Sequence, residues 1–239
     1  MTTLLTMKWF NKQIDYLCFT ANTAGSTVAL NKNGSPTAVT LETSTDWQNW
    51  STYTFGSTIT LSSIWDKVYW RNTSETTTWF STDTSNYYNF IMTWSISASW
   101  DINYLLRKTS TDSMIYNYEF YRLFDGCSVL ITPPKLLAVS ISNYCYSMMF
   151  RNCTSLVGIS ELPAITLKQG CYASMFLNCS SIKLSTTQTW EYQTEYRIPI
   201  EWTGTNARDA LYNMFWWTWW TFTWTPTINT TYYTSNTII

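Results

Sequence analysis

Cys127, Cys153 and Cys179 stand at a strict 26-residue step, and the residues around them repeat with them. The three copies read FYRLFDGCSVL, YSMMFRNCTSL and YASMFLNCSSI. Phe124, Phe150 and Phe176 each precede a cysteine by three residues, and Leu130, Leu156 and Ile182 each follow one by three. A second column, eight residues ahead of each cysteine, holds Glu119, Cys145 and Cys171, followed by Phe120, Tyr146 and Tyr172. The lead-ins KLLAVSI and ELPAITL align Leu136 with Leu162 and Ala138 with Ala164. Self-similarity of this period marks a solenoid, in which one copy alone exposes an apolar edge that only stacking on its neighbours can bury. The spacing predicts Phe on Phe, Cys on Cys and Leu on Leu in a continuous ladder. After an insertion, ALYNMFWWTWWTF sets Met214-Phe215 where Met175-Phe176 stood, and Trp217-Thr218 on the Asn-Cys pair. That last, atypical copy is expected to cap the array.

Ahead of the repeats the pattern changes. From Asp15 to about Arg71 the runs YLCFTA, STVALN, AVTLETS, STYTF, STITL and DKVYWRN alternate with polar turns. Thr, Val, Ile, Tyr and Trp in short, regularly spaced runs predict strands of an all-β sandwich. STDWQNWSTY reads as a hairpin with Ser44, Asp46 and Asn49 as turn formers. Ser/Thr-rich connections around NYYNFIMT and DINYLLRK complete this half.

The segments CYSMMFRNCTSL, ELPAITL and GCYASMFLNCSSI resemble the BspA-type leucine-rich repeats of surface proteins from host-associated bacteria and of structural proteins from their phages. The resemblance covers roughly residues 116–182 and, weakly, the tail. Leu137 stands where that family carries proline and Glu119 where it carries the first cysteine, departures that suit an edge repeat. The front half is similar to β domains that precede such repeats, with STDWQNW and WDKVYW in place of a Gly-containing hairpin and strand. The implied fold class is mixed: an N-terminal all-β sandwich followed by a short leucine-rich-repeat (BspA-like) solenoid. The expected divisions are an N-terminal arm over 1–14, the sandwich over 15–107, and the solenoid with its atypical cap over 108–239.

Composition bears on what the tryptophans are. The chain holds 7 glycines in 239 residues, against a typical share of roughly 7%, and it holds 15 tryptophans. Most of the latter sit among Thr, Ser or Asp, as in TTTWFS, MTWSIS, SASWDI and QTWEYQ, which is turn context. Asp-Gly-type turns need positive φ, open to glycine and strained for a bulky side chain. UGA is one base from the glycine codon GGA, and some bacterial lineages reassign UGA to glycine. Trp47, Trp65, Trp79, Trp94, Trp100, Trp190, Trp202, Trp216, Trp217, Trp219, Trp220 and Trp224 are therefore expected to be glycine in the biological protein, with Trp50 and Trp70 genuine. The alternatives are a sugar-stacking platform and buried core aromatics.

The chemistry the sequence excludes is as informative. There is no histidine, so the commonest general base and zinc ligand are absent. Lys plus Arg number 14 and Asp plus Glu 15, leaving no basic stripe for nucleic acid. No apolar run reaches membrane-spanning length, and MTTLLTMKWFNKQ lacks the basic and apolar regions of a secretion signal. Cys145, Cys153, Cys171 and Cys179 follow the repeat with no C-x-x-C knuckle, so they read as reduced packing residues rather than a zinc site, with disulfides between coils the alternative in an oxidising compartment. Tyr116, Tyr118, Tyr144, Tyr146 and Tyr172 offer flat area and hydroxyls, and Tyr118, Tyr144, Tyr146 and Tyr172 are the candidate ligand-binding residues. No catalytic residue, metal or cofactor is expected.

The resemblance implies a non-enzymatic, surface-displayed structural or adhesion protein. A phage virion component, whether capsid decoration, head fibre or tail-associated, is expected ahead of a secreted bacterial adhesin or a carbohydrate-binding module. Its implied partners are a virion or cell-surface scaffold, a host surface glycan or protein, and further copies of itself.

Overall fold

The computed structural model describes residues 16–74, 80–106, 114–201, 203–218 and 225–239. The arm expected over 1–14, the boundary expected at 107/108, and Trp79, Trp202, Trp219, Trp220 and Trp224 lie outside the described residues. Among those residues the secondary structure is strand and turn, with one 3₁₀ turn at Ile102–Leu105 and no α-helix.

Among the described residues eight strands build the front half: β1 (Leu17–Ala21), β2 (Ser26–Asn33), β3 (Leu41–Ser44), β4 (Ser51–Thr52), β5 (Ile59–Leu61), β6 (Lys67–Asn72), β7 (Tyr87–Thr93) and β8 (Ile96–Ser99). They form a five-stranded sheet, β4-β3-β6-β1-β8, and a three-stranded sheet, β5-β2-β7, with antiparallel pairing throughout. Period-two burial decides which side chains meet between them. In β6, Val68 and Trp70 are fully buried while Lys67 is exposed. Phe19 of β1 and Trp70 of β6 meet Phe90 of β7 across the gap, with ring centroids 4.8 and 5.2 Å apart. β3 and β4 close the hairpin read from STDWQNW, Glu42 facing Thr52. Its turn is tied by Asp46, whose carboxylate accepts from the backbone N–H groups of Gln48 and Asn49.

Around 117–129, 143–155, 169–181 and 208–217 the chain runs in successive turns, and these turns stack as coils. In the coil around Phe150, Ser147, Met149, Arg151 and Cys153 donate their N–H groups three residues back within the coil. The residues between them, Tyr144, Tyr146, Met148, Phe150 and Asn152, donate instead to carbonyls of the following coil. The donors from Tyr146 to Cys153 thus each have a partner, half local and half across the stack, as buried backbone requires. The same alternation holds one 26-residue step earlier and later, and the coil ending near Thr218 receives the bonds of the third. Each coil carries a left-handed residue every fourth position: 118, 122, 126; 144, 148, 152; 170, 174, 178; 209, 213, 217. Burial follows the same period, with Cys145-Tyr146, Met149-Phe150 and Cys153 inward after each left-handed residue.

The stack begins inside the sandwich. Phe90 on β7 donates its N–H to Leu123 and stacks its ring on Phe124 at 5.2 Å and 15°. Phe124, Phe150, Phe176 and Phe215 follow at 5.4, 5.5 and 5.4 Å. Leu130, Leu156 and Ile182 are fully buried beside them. One hydrophobic cluster consequently runs from Leu17 to Tyr232 through both halves. β9 (Gly158–Ile159) follows the second coil, and the insertion and tail add β10 (Leu184–Ser185), β11 (Thr194–Arg197), β12 (Thr231–Thr234) and β13 (Thr237–Ile238). β12 pairs with both β10 and β11, and β13 returns to lie parallel to β9. No helix among the described residues is long and apolar enough to cross a membrane.

Candidate functional site

The coil columns read across the stack generate a hollow on one flank. The column three residues before each stacked phenylalanine holds Tyr121, Ser147, Ala173 and Tyr212, large at the ends and small in the middle. Two small side chains between two tyrosines leave an open trough of about 680 Å³. Tyr118, Tyr144, Met148, Ser174 and Asp209 from the neighbouring columns complete its lining, together with Thr84 from the sandwich side. The volume is in the range of small-molecule sites.

The ring faces at this site are largely committed to one another. Tyr118 stacks on Tyr144 at 5.0 Å and 12°, and meets the edge of Tyr121 at 5.8 Å. Tyr144 in turn lies so close over Gly170 that a Cβ there would run into its ring. The absence of a side chain at 170, in the column of Tyr118 and Tyr144, is what lets Tyr144 fold down. Tyr118 and Tyr144 therefore bring ring edges to the trough more than open stacking faces. Tyr212, 56% exposed at the far wall, is the most solvent-facing ring there. Burial, and then the neighbouring Tyr144, Tyr121 and Asp83, push the Tyr118 hydroxyl above its ordinary range, so it remains a hydrogen-bond donor at neutral pH. The Tyr121 hydroxyl is raised first by burial and lies 3.8 Å from the Met148 sulfur. Asp209 supplies one carboxylate, paired with Arg208 at 3.2 Å. The trough can thus recognise hydroxyl-bearing or flat apolar groups through donors, a thioether and one anionic end.

Two of the four candidate tyrosines are elsewhere. Tyr146 and Tyr172 are buried in the core, where Phe120, Tyr146 and Tyr172 stack at 5.7 and 5.8 Å. They cannot reach a ligand, because each is the second member of the inward pair that follows a left-handed residue. The trough residues missed from sequence, Tyr121, Ser147, Ala173 and Tyr212, lie in one repeat column. Extending the alignment three positions ahead of Phe124, with the same longer step that finds Phe215, would have found them.

The cysteines line the interior. All six in the chain are buried and free. The thiol of Cys127 lies 3.2 Å from the Phe90 carbonyl, that of Cys153 3.1 Å from Phe124, and that of Cys179 2.9 Å from Phe150. Each thiol thus donates one rung back along the stack. Burial is the first cause that raises these thiols, with Cys171 pushed up to about 12 and Cys127, Cys145, Cys153 and Cys179 held well above the ordinary range. They remain protonated packing groups. Among the described residues no three Cys, Asp or Glu side chains converge as a metal site.

No family model, curated protein or solved structure matches the chain.

Proposed function

We propose that this chain is a non-enzymatic, surface-displayed binding protein, built as a short leucine-rich-repeat solenoid of the BspA type standing on a β-sandwich. Its place is on a virion, as a decoration, head-fibre or tail-associated component that presents the trough to a host surface glycan or protein. The observation that carries the reading is the column Tyr121, Ser147, Ala173, Tyr212, which turns a regular stack into a shaped hollow. The fully buried rungs beneath it favour a rigid presenting surface. The resemblance of the repeat segments supports the display role, and fold analogy alone carries the virion assignment.

Particles purified from the source are expected to contain the chain, detectable by peptide mass spectrometry. Fluorescently labelled protein is expected to bind host cells and to lose that binding in Ala173→Tyr, which fills the hollow, and in Tyr212→Ala, which removes its far wall. Binding that survives both substitutions in folded protein overturns the assignment of the trough, and absence of the chain from particles overturns the virion role. Glycosidase and protease treatment of the cells separates glycan from protein as the target.

A further inference from the structure

The left-handed backbone region is open to glycine and disfavoured for residues with a bulky side chain. In the coils it is imposed every fourth residue by the hydrogen-bond alternation, whatever the side chain, so Tyr118, Arg122, Tyr144 and Met148 all occupy it. Outside the coils no such lattice holds the backbone. There, the described residues with positive φ are Gly25, Gly34, Gly56, Asn229 and four tryptophans, Trp47, Trp65, Trp94 and Trp100. Their φ values, 58° to 73°, lie in the same region as those of the glycines. No threonine, serine or tyrosine outside the coils joins them, although these residues crowd the same turns.

The local settings are those of glycine turns. Trp47 follows Asp46 in the turn that the Asp46 carboxylate ties. Trp65 is the third residue of the turn that closes with a bond from Asp66 N–H to the Ser63 carbonyl. Trp94 carries the chain from β7 in one sheet toward β8 in the other. Within the coils, Trp217 stands in the column of Gly126, Asn152 and Asn178, the residue types best able to take that conformation. The rings give little in return: Trp65, Trp94 and Trp217 are 73%, 63% and 65% exposed. Trp47 does touch Tyr16 and Tyr69. Trp50 and Trp70 have no positive φ, and Trp70 is fully buried among Phe19, Tyr53 and Phe90.

We infer that positions 47, 65, 94, 100 and 217 carry glycine in the biological protein, the codons being UGA read as glycine by the source. Trp190 and Trp216, without positive φ, fall outside this inference. It stands independently of the proposed function, and it removes Trp217 from any sugar-stacking platform. The test is peptide mass spectrometry of the chain purified from its source. Glycine is expected at the five positions and tryptophan at 70, the internal control. Tryptophan at 65 or 94 overturns the inference. A recombinant chain with all five changed to glycine is expected to unfold a few degrees higher than the all-tryptophan chain, and a lower Tm counts against it.

Discussion

The ring of Phe90, on a sandwich strand, lies 5.2 Å from and within 15° of the ring of Phe124, in the first coil. Phe90 lies outside the repeat and 34 positions before Phe124, yet this pairing seats the whole stack. Because Phe90 also donates its N–H to Leu123, strand and coil continue one another in backbone as well as side chain. The coils therefore do not have to form a free end next to the sandwich.

The phenylalanine ladder makes its middle rung sensitive to lost volume. Phe150 is fully buried between Phe124 and Phe176, so Phe150→Ala is expected to cost about 3–5 kcal/mol. Phe150→Leu, which keeps an apolar side chain of similar size in the rung, is expected to cost less than about 1.5 kcal/mol. Denaturant unfolding of the two variants measures the difference, and a loss below about 1 kcal/mol in Phe150→Ala contradicts a ladder in which each ring packs on its neighbours along the stack.

Tyr146 offers the opposite sign. Its hydroxyl is buried with no hydrogen-bond partner, in a column that begins with Phe120. Tyr146→Phe is expected to be neutral or to stabilise by about 1 kcal/mol, because an unsatisfied buried hydroxyl carries its full desolvation cost. It should leave cell binding unchanged. Loss of binding without loss of stability would place this ring at a ligand surface after all.

The thiols set an alkaline limit. Their folded pKa values are raised, Cys171 to about 12, while unfolded thiols titrate near ~8.5. Below that pH both states keep their protons and the contribution to stability is complete. Above it the unfolded state loses protons that the folded state retains, so stability falls as pH rises, by up to ~1.4 kcal/mol per pH unit for each thiol. Tm should be level through neutral pH and decline above about pH 9, and native protein should resist thiol reagents until it unfolds. Rapid labelling of Cys153 in native buffer, or a level Tm at alkaline pH, contradicts this.

Arg151 holds two coils together. It makes a two-pronged contact with Asp125, at 2.9 and 2.5 Å, across one 26-residue step, and Asn152 reaches the same carboxylate at 3.3 Å. Side-chain exposure of 26% and 14% keeps the pair partly out of water. A double-mutant cycle of Asp125→Asn and Arg151→Met is expected to give a coupling of about 1–2 kcal/mol, decreasing with salt. A coupling near zero would show the pair to be incidental to the stack.

Much of this could be read in advance where repetition fixed it. The columns of Phe124, Cys127 and Leu130 identified rungs because equivalent residues in a stack meet their own counterparts. The β-branched and aromatic run DKVYWRN likewise marked the strand that forms β6. The tyrosines resisted such reading. Tyr144 and Tyr146 are two residues apart in a stretch that follows neither strand nor helix periodicity, and only the four-residue spacing of left-handed positions separates the one that lines the trough from the one that is buried.

The sequence by itself determined that the chain is rich in strands, that its second half repeats at 26 residues, and that its tryptophans sit in turn contexts. Those properties are local or periodic, and each is written in the order of residue types. Only the tertiary structure decided that Phe90 supplies the rung before the first repeat, that β13 returns to pair with β9, and that Tyr121 and Tyr212 enclose a hollow. Each of those depends on segments far apart in the chain meeting at one depth and register, and the energy of that meeting is a property of the packed whole, not of any stretch read alone.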